Sequence, residues 1–202
     1  VLHEISRRLA ANQVPIAHER KFSRVVAELM NLIAETKTRG GGSGERQPGE
    51  GGARPRMLLA LAPDNAHEIG PICYAMLLAE HGVSVELDTG REPLRLLEYL
   101  LEDQGFVGVG LSVALPAQLE GARALAGAIR DGLPGMVTAL GGYVTKAEEG
   151  GGALPEFDWV ADPRSSNADA RGLAELLRER QRAKVAFALA RASSAGRSDQ
   201  QG

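Results

Sequence analysis

Between residues 57 and 177 the apolar positions follow two alternating rhythms. "MLLALAP" (57–63) and "FVGVGLSV" (106–113) are near-continuous apolar runs, as strands buried on both faces require. "VSVELDTG" (83–90) alternates in period two, "MVTALGGY" (136–143) adds a fourth strand and "FDWVAD" (157–162) a fifth. Residues 70–81, 93–103, 116–131 and 167–180 carry helical spacing instead, with Leu94, Leu97, Leu100 and Leu101 sharing one face and Asn167 as a cap for the last helix. A short helix is expected after the fourth strand.

Strand–helix alternation with short links implies a parallel sheet covered on both faces. Five such units fit an α/β fold of the flavodoxin-like, doubly wound kind. Ligands of these sheets bind outside the carboxyl ends of the strands. That brings four loops together: residues 63–70, 112–116, 141–145 and 161–165.

The flanks read differently. In residues 1–38, Leu2, Ile5 and Leu9, and then Phe22, Val25, Val26, Leu29, Leu32 and Ile33, keep helical spacing on either side of Pro15. They predict two amphipathic helices whose apolar stripes need a partner. Residues 39–56, "RGGGSGERQPGEGGARPR" from Arg39, lose all periodicity and read as a flexible Gly-rich linker. The domain proper spans 57–180, and 181–202 form a basic tail that extends the last helix and then frays.

Charge sharpens this division. Ten Lys and Arg stand against six Asp and Glu in residues 1–56, seven against eighteen in 57–177, and six against two in 178–202. The acidic body is a poor nucleic-acid binder and only the arms could touch DNA or an acidic partner, so direct DNA contact is expected to be weak if any. At 44% hydrophobic and 4% aromatic, the core must be built from Leu, Val, Ile and Ala. No apolar run approaches the roughly 18 residues that span a bilayer. The first residues are amphipathic and charged rather than signal-like. Cys73, the single cysteine, excludes an intrachain disulfide and reads as a buried thiol of a cytoplasmic protein.

Candidate chemistry sits in the loops. "PDNAHEIG" follows strand one, "SVALP" from Ser112 ends strand three, Gly141–Gly142–Tyr143 ends strand four and "ADPRSS" follows strand five. Ser112 stands where a response regulator would need an aspartate. No flavin phosphate loop, G-x-G-x-x-G fingerprint or Walker loop follows strand one, and no Cys/His cluster has zinc spacing. No nucleophile–base pair is set up for catalysis, so the chain does not read as an enzyme. Ser112 reads either as a hydroxyl offered to a ligand or as a helix cap, and the paired glycines either as room for a ligand or as a tight turn.

Over about residues 57–180 these loops resemble the cobalamin-binding domain family, whose motif is D-x-H-x-x-G after strand one, S-x-L after strand three and G-G after strand four. The matching residues are His67, Gly70, Ser112, Gly141 and Gly142. The resemblance implies that His67 ligates cobalt in place of cobalamin's own base. It also implies that the nucleotide tail threads between strands one and three, that Ser112 meets the base and that the glycines leave it room. Val113, Ala114, Tyr143, Asp88 and Thr89 are further cofactor-binding candidates on the same grounds. Asn65 stands where the family has aspartate. An amide there can accept the imidazole N–H but brings no charge.

The resemblance is nearest to stand-alone sensor regulators of photosynthetic bacteria, which bind cobalamin, or haem in relatives, and antagonise a repressor of photopigment genes. It implies a sensor with a DNA-binding repressor as partner. A corrinoid carrier for a methyltransferase or mutase is the alternative, and a haem-binding sensor is another. Trp159 lies in strand five, not in a front bundle, which disfavours an adenosylcobalamin photoreceptor.

Overall fold

The computed structural model describes residues 53–142, 154–162 and 165–198. The front helices, most of the linker, the short helix expected after strand four and Tyr143 lie outside them.

Five strands form one parallel sheet: β1 (Arg56–Leu61), β2 (Ser84–Asp88), β3 (Phe106–Val113), β4 (Val137–Gly142) and β5 (Trp159–Val160). Helices α1 (Ile69–Glu80), α2 (Pro93–Glu102), α3 (Leu119–Gly132) and α4 (Ser166–Ser198) connect or follow them, with a 3-10 turn over Pro116–Gln118 ahead of α3. The strand order is β2-β1-β3-β4-β5. The chain therefore reverses direction across the sheet between β1 and β3, the switch point at which such folds bind ligands.

Side-chain alternation along the strands builds two cores. Leu58, Val109, Leu111, Val113 and Leu140 pack against Leu96, Leu100, Leu125 and Ile129 on the α2/α3 face. Met57, Leu59, Val137 and Ala139 pack against Leu78, Leu173, Ala174 and Leu177 on the α1/α4 face. Apolar side chains enclosed on both faces of a strand account for the unbroken apolar runs.

Local signals set the helix ends. α1 stops in a Schellman arrangement: Gly82, at φ 77°, donates its N–H to Ala79 and Val83 donates to Leu78. His81 caps that end, and its Nε2 meets Asn167 Oδ1 at 2.8 Å. Asn167 therefore ties α4 to α1 from within the first turn instead of capping α4. Pro93 opens α2, where its missing N–H costs nothing. Cys73 is half-buried rather than enclosed, and desolvation pushes its thiol pKa up. No described helix is long and apolar enough to cross a membrane.

Candidate functional site

The two faces of β3 and β4 differ in side-chain size. Toward α2 and α3 they carry Val109, Leu111, Val113 and Leu140. Toward α1 and α4 they present Gly110 and Ser112 on β3 beside Ala139 and Gly141 on β4, and Gly110 pairs with Ala139 as Ser112 pairs with Gly141. Ser112, Ala139 and Gly141 leave the sheet hollow toward its carboxyl ends, whereas Leu59 and Met57 fill the space over Gly110, where a Cβ would lie 2.5 Å from Leu59 Cδ2 and 2.8 Å from Met57 Cε. The result is a cavity of about 570 Å³ between the sheet, α1 and α4. It runs from the strands' carboxyl ends, at Ser112, Gly142 and Asp162, inward to Met57 and Leu59. Its volume falls within the usual range for a small-molecule site.

The loop 62–68 brings His67 to this end of the sheet. Ala62 N–H donates to Ser112 O at 2.9 Å, and Asn65 N–H closes a turn on Ala62 O at 3.0 Å. Asp64 takes φ 62°, a conformation that a non-glycine residue rarely adopts. Asn65, 9% exposed, donates its Nδ2 to Ser112 O at 2.6 Å and accepts the backbone N–H of His67 at 3.0 Å. Its carbonyl accepts from the His67 main chain and its amide donates to β3, so it fixes the loop that carries the ring. The His67 side chain is exposed, and among the described residues its ring has no hydrogen-bond partner.

Gln118 is a second anchor, one that sequence reasoning missed. It is 7% exposed. Its Oε1 accepts from Ala114 and Leu115 N–H, both at 3.0 Å, and its Nε2 donates to Asp64 O at 2.7 Å. One side chain thus clamps the β3–α3 loop to the loop that carries His67. Gln118→Ala is expected to leave three main-chain groups without partners, which costs about 1–3 kcal/mol. Thermal unfolding should record a melting point lower by several degrees, with the far-UV spectrum retained.

The other predicted residues separate into groups. Ser112 lies inside β3 and lines the cavity, so it is not a helix cap. Gly141 and Gly142 lie inside β4 and also line the cavity, so they are not a tight turn. Only Gly142 is sterically obligatory: it sits at φ 121°, and a Cβ there would overlap the Val113 carbonyl oxygen, with the carbonyl carbon at 2.8 Å. At Gly141 a Cβ would meet only Ala161 Cβ, at 3.8 Å. Gly70, in the first turn of α1, lines the cavity mouth. Val113 is buried on the opposite face, and Ala114 is held by Gln118. Asp88 and Thr89 are not brought to the cavity. They end β2 at the sheet edge, where Asp88 accepts from Gly90 and Arg91 N–H and pairs with the Arg91 guanidinium at 2.8 Å.

A second set of residues missed by sequence reasoning forms the far wall. Tyr74 from α1 and Trp159 from β5 line the cavity. Both reach Asp169 of α4, which is 7% exposed. Tyr74 donates its hydroxyl to Asp169 Oδ2 at 2.5 Å, and Trp159 Nε1 donates to Oδ1 at 3.1 Å. Burial, and then the Asp169 carboxylate, push the Tyr74 pKa far up, so the hydroxyl keeps its proton. Among the described residues, no three His, Cys, Asp or Glu side chains gather to hold a metal ion.

No family model matches the chain, and no curated protein does. Solved structures do. The Methanosarcina barkeri monomethylamine corrinoid protein superimposes with a TM-score of 0.58 at 14% identity, over 85% of this chain and 76% of that one. A cobalamin-binding protein from Desulfitobacterium hafniense DCB-2 gives 0.49 at 14% identity, over 87% and 76%. The methanol:cobalamin methyltransferase complex MtaBC from Methanosarcina barkeri gives 0.48 at 10% identity, over 86% and 62%. The first of these likenesses establishes the shared flavodoxin-like fold.

Proposed function

We propose that this domain binds a corrinoid of the cobalamin type, whose cobalt His67 would hold and whose nucleotide tail the cavity would take. The observation that carries the reading is the slot left over Ser112, Ala139 and Gly141 at the carboxyl ends of the strands, beside the β1/β3 switch point. His67 stands three residues ahead of Gly70, which lines the mouth of that slot. Its exposed ring, without a hydrogen-bond partner among the described residues, is chemically suited to ligate a metal.

When bound, the corrinoid supplies a cobalt centre that can hold and release an organic group. The chain's own part is to bind and orient it. His67 provides the nitrogen donor, on a loop held by Asn65 and Gln118. Ser112 offers its hydroxyl within the slot, and the apolar walls take the base out of water. A haem could take the same histidine but has no tail to fill the slot, so the cavity favours a corrinoid. Between the two roles for a bound corrinoid, the fold shared with a protein described as a corrinoid protein supports carriage for a partner enzyme. The sensor reading, with a DNA-binding repressor as partner, has no comparable support.

The test is a visible-spectrum titration with hydroxocobalamin and with cobinamide, which lacks the nucleotide, on wild type and Gly141→Leu. A side chain at residue 141 enters the slot without backbone strain. The variant is therefore expected to keep its fold, lose cobalamin affinity by more than about tenfold and leave cobinamide binding unchanged. Wild-type protein that stays colourless with hydroxocobalamin would overturn the corrinoid reading. Haem would then be tried, and a second blank would leave an interaction module.

A further inference from the structure

The inner part of the slot is lined by Met57, Leu59, Gly110, Ala139 and Leu173, closed by Tyr74 and Trp159. Two of these residues carry polar tips, and neither has a donor left for a ligand. The Tyr74 hydroxyl and the Trp159 indole N–H both donate to Asp169. Asp169 lies behind the wall and does not line the slot. Its Oδ1 also accepts the N–H of Asp162 at 2.9 Å, and its own N–H donates to Ser165 O at 2.9 Å. The remaining polar lining, Ser112, Asp162 and Ser166, clusters at the carboxyl-end mouth.

We propose that Asp169 is a positioning residue that makes the slot selective for a corrinoid with an apolar lower base, such as a dimethylbenzimidazole, over one with a purine. The inference rests on the corrinoid reading above. The inner edge of a dimethylbenzimidazole is two methyl groups, which need only apolar contact. A purine brings further ring nitrogens that accept hydrogen bonds, and these would be desolvated with no free donor in the inner slot. Binding both aromatic donors to one buried carboxylate is what keeps that region apolar.

The experiment compares hydroxocobalamin with its adenine-base analogue on wild type, Asp169→Asn and Asn167→Ala. Wild type is expected to favour hydroxocobalamin by at least about tenfold, which is about 1.4 kcal/mol. Asparagine cannot accept from all three donors at once, so Asp169→Asn frees a donor toward the slot. The preference should then fall below about threefold, with the His67-ligated spectrum still formed. Asn167→Ala lies in the same turn of α4 but away from the slot, and it should keep the wild-type preference. Equal wild-type affinities for the two corrinoids overturn the proposal, and this comparison needs no variant to fold. Folded Asp169→Asn with an undiminished preference overturns the role of Asp169. If neither corrinoid binds, the corrinoid reading itself fails, which is a different result.

Discussion

His67→Ala is expected to leave added hydroxocobalamin with the spectrum it shows in buffer. Wild type should instead give a saturable, red-shifted complex. The loop accounts for this. Asn65 and Gln118 hold residues 64–67 by main-chain and side-chain bonds that do not use the imidazole. Removing the ring therefore takes away a donor nitrogen without loosening the loop that carried it. Affinity for the corrinoid should fall by more than about tenfold, at about 1.4 kcal/mol per decade, while the melting point stays within about 2 °C of wild type. His81→Ala is the control. Its ring is already bound to Asn167 at the far end of α1 and should contribute nothing to the spectrum. A red-shifted complex that survives in His67→Ala would show that another group, or none, ligates the cobalt.

Gly142→Ala should be the most damaging single substitution in the sheet. At φ 121° an alanine is strained, at about 1–3 kcal/mol, and its Cβ has no space beside the Val113 carbonyl. Val113 and Gly142 are register partners in the β3–β4 ladder, so relief would have to part the two strands at the edge of the slot. A loss of about 3 kcal/mol or more is expected, a drop in melting point on the order of 10 °C. Gly141→Ala should change stability by less than about 0.5 kcal/mol. Denaturant unfolding of the two variants side by side decides the matter. Equal stabilities would mean that the Gly142 backbone relaxes without cost.

These two glycines also show what a sequence reveals and what it does not. The fold was legible because strands enclosed on both faces must be apolar throughout, as "MLLALAP" and "FVGVGLSV" are. The hollow was equally present in the spelling, since Ser112 stands between Leu111 and Val113, and Ala139 and Gly141 flank Leu140. Sequence reading used the glycine pair at 141–142 and passed over this period-two alternation of size. It could not separate Gly141 from Gly142, because the difference lies in a backbone angle. Gln118 and Asp169 were missed for another reason. Each acts through partners more than 45 positions distant, at Asp64 and Tyr74, and no local pattern marks such a pairing. Asn65 was recognised as a departure from a motif, but which groups its amide binds depends on Ser112, 47 residues further along.

Trp159 is the only tryptophan in the chain, and it forms part of the slot's wall. Its intrinsic fluorescence therefore comes from a single place in the molecule, next to the space a nucleotide tail would enter. A colourless benzimidazole nucleoside, added without any corrin ring, can be followed by the change it makes in that emission. Occupancy of the slot then becomes measurable separately from ligation of the metal, and the two halves of the binding energy can be weighed one at a time.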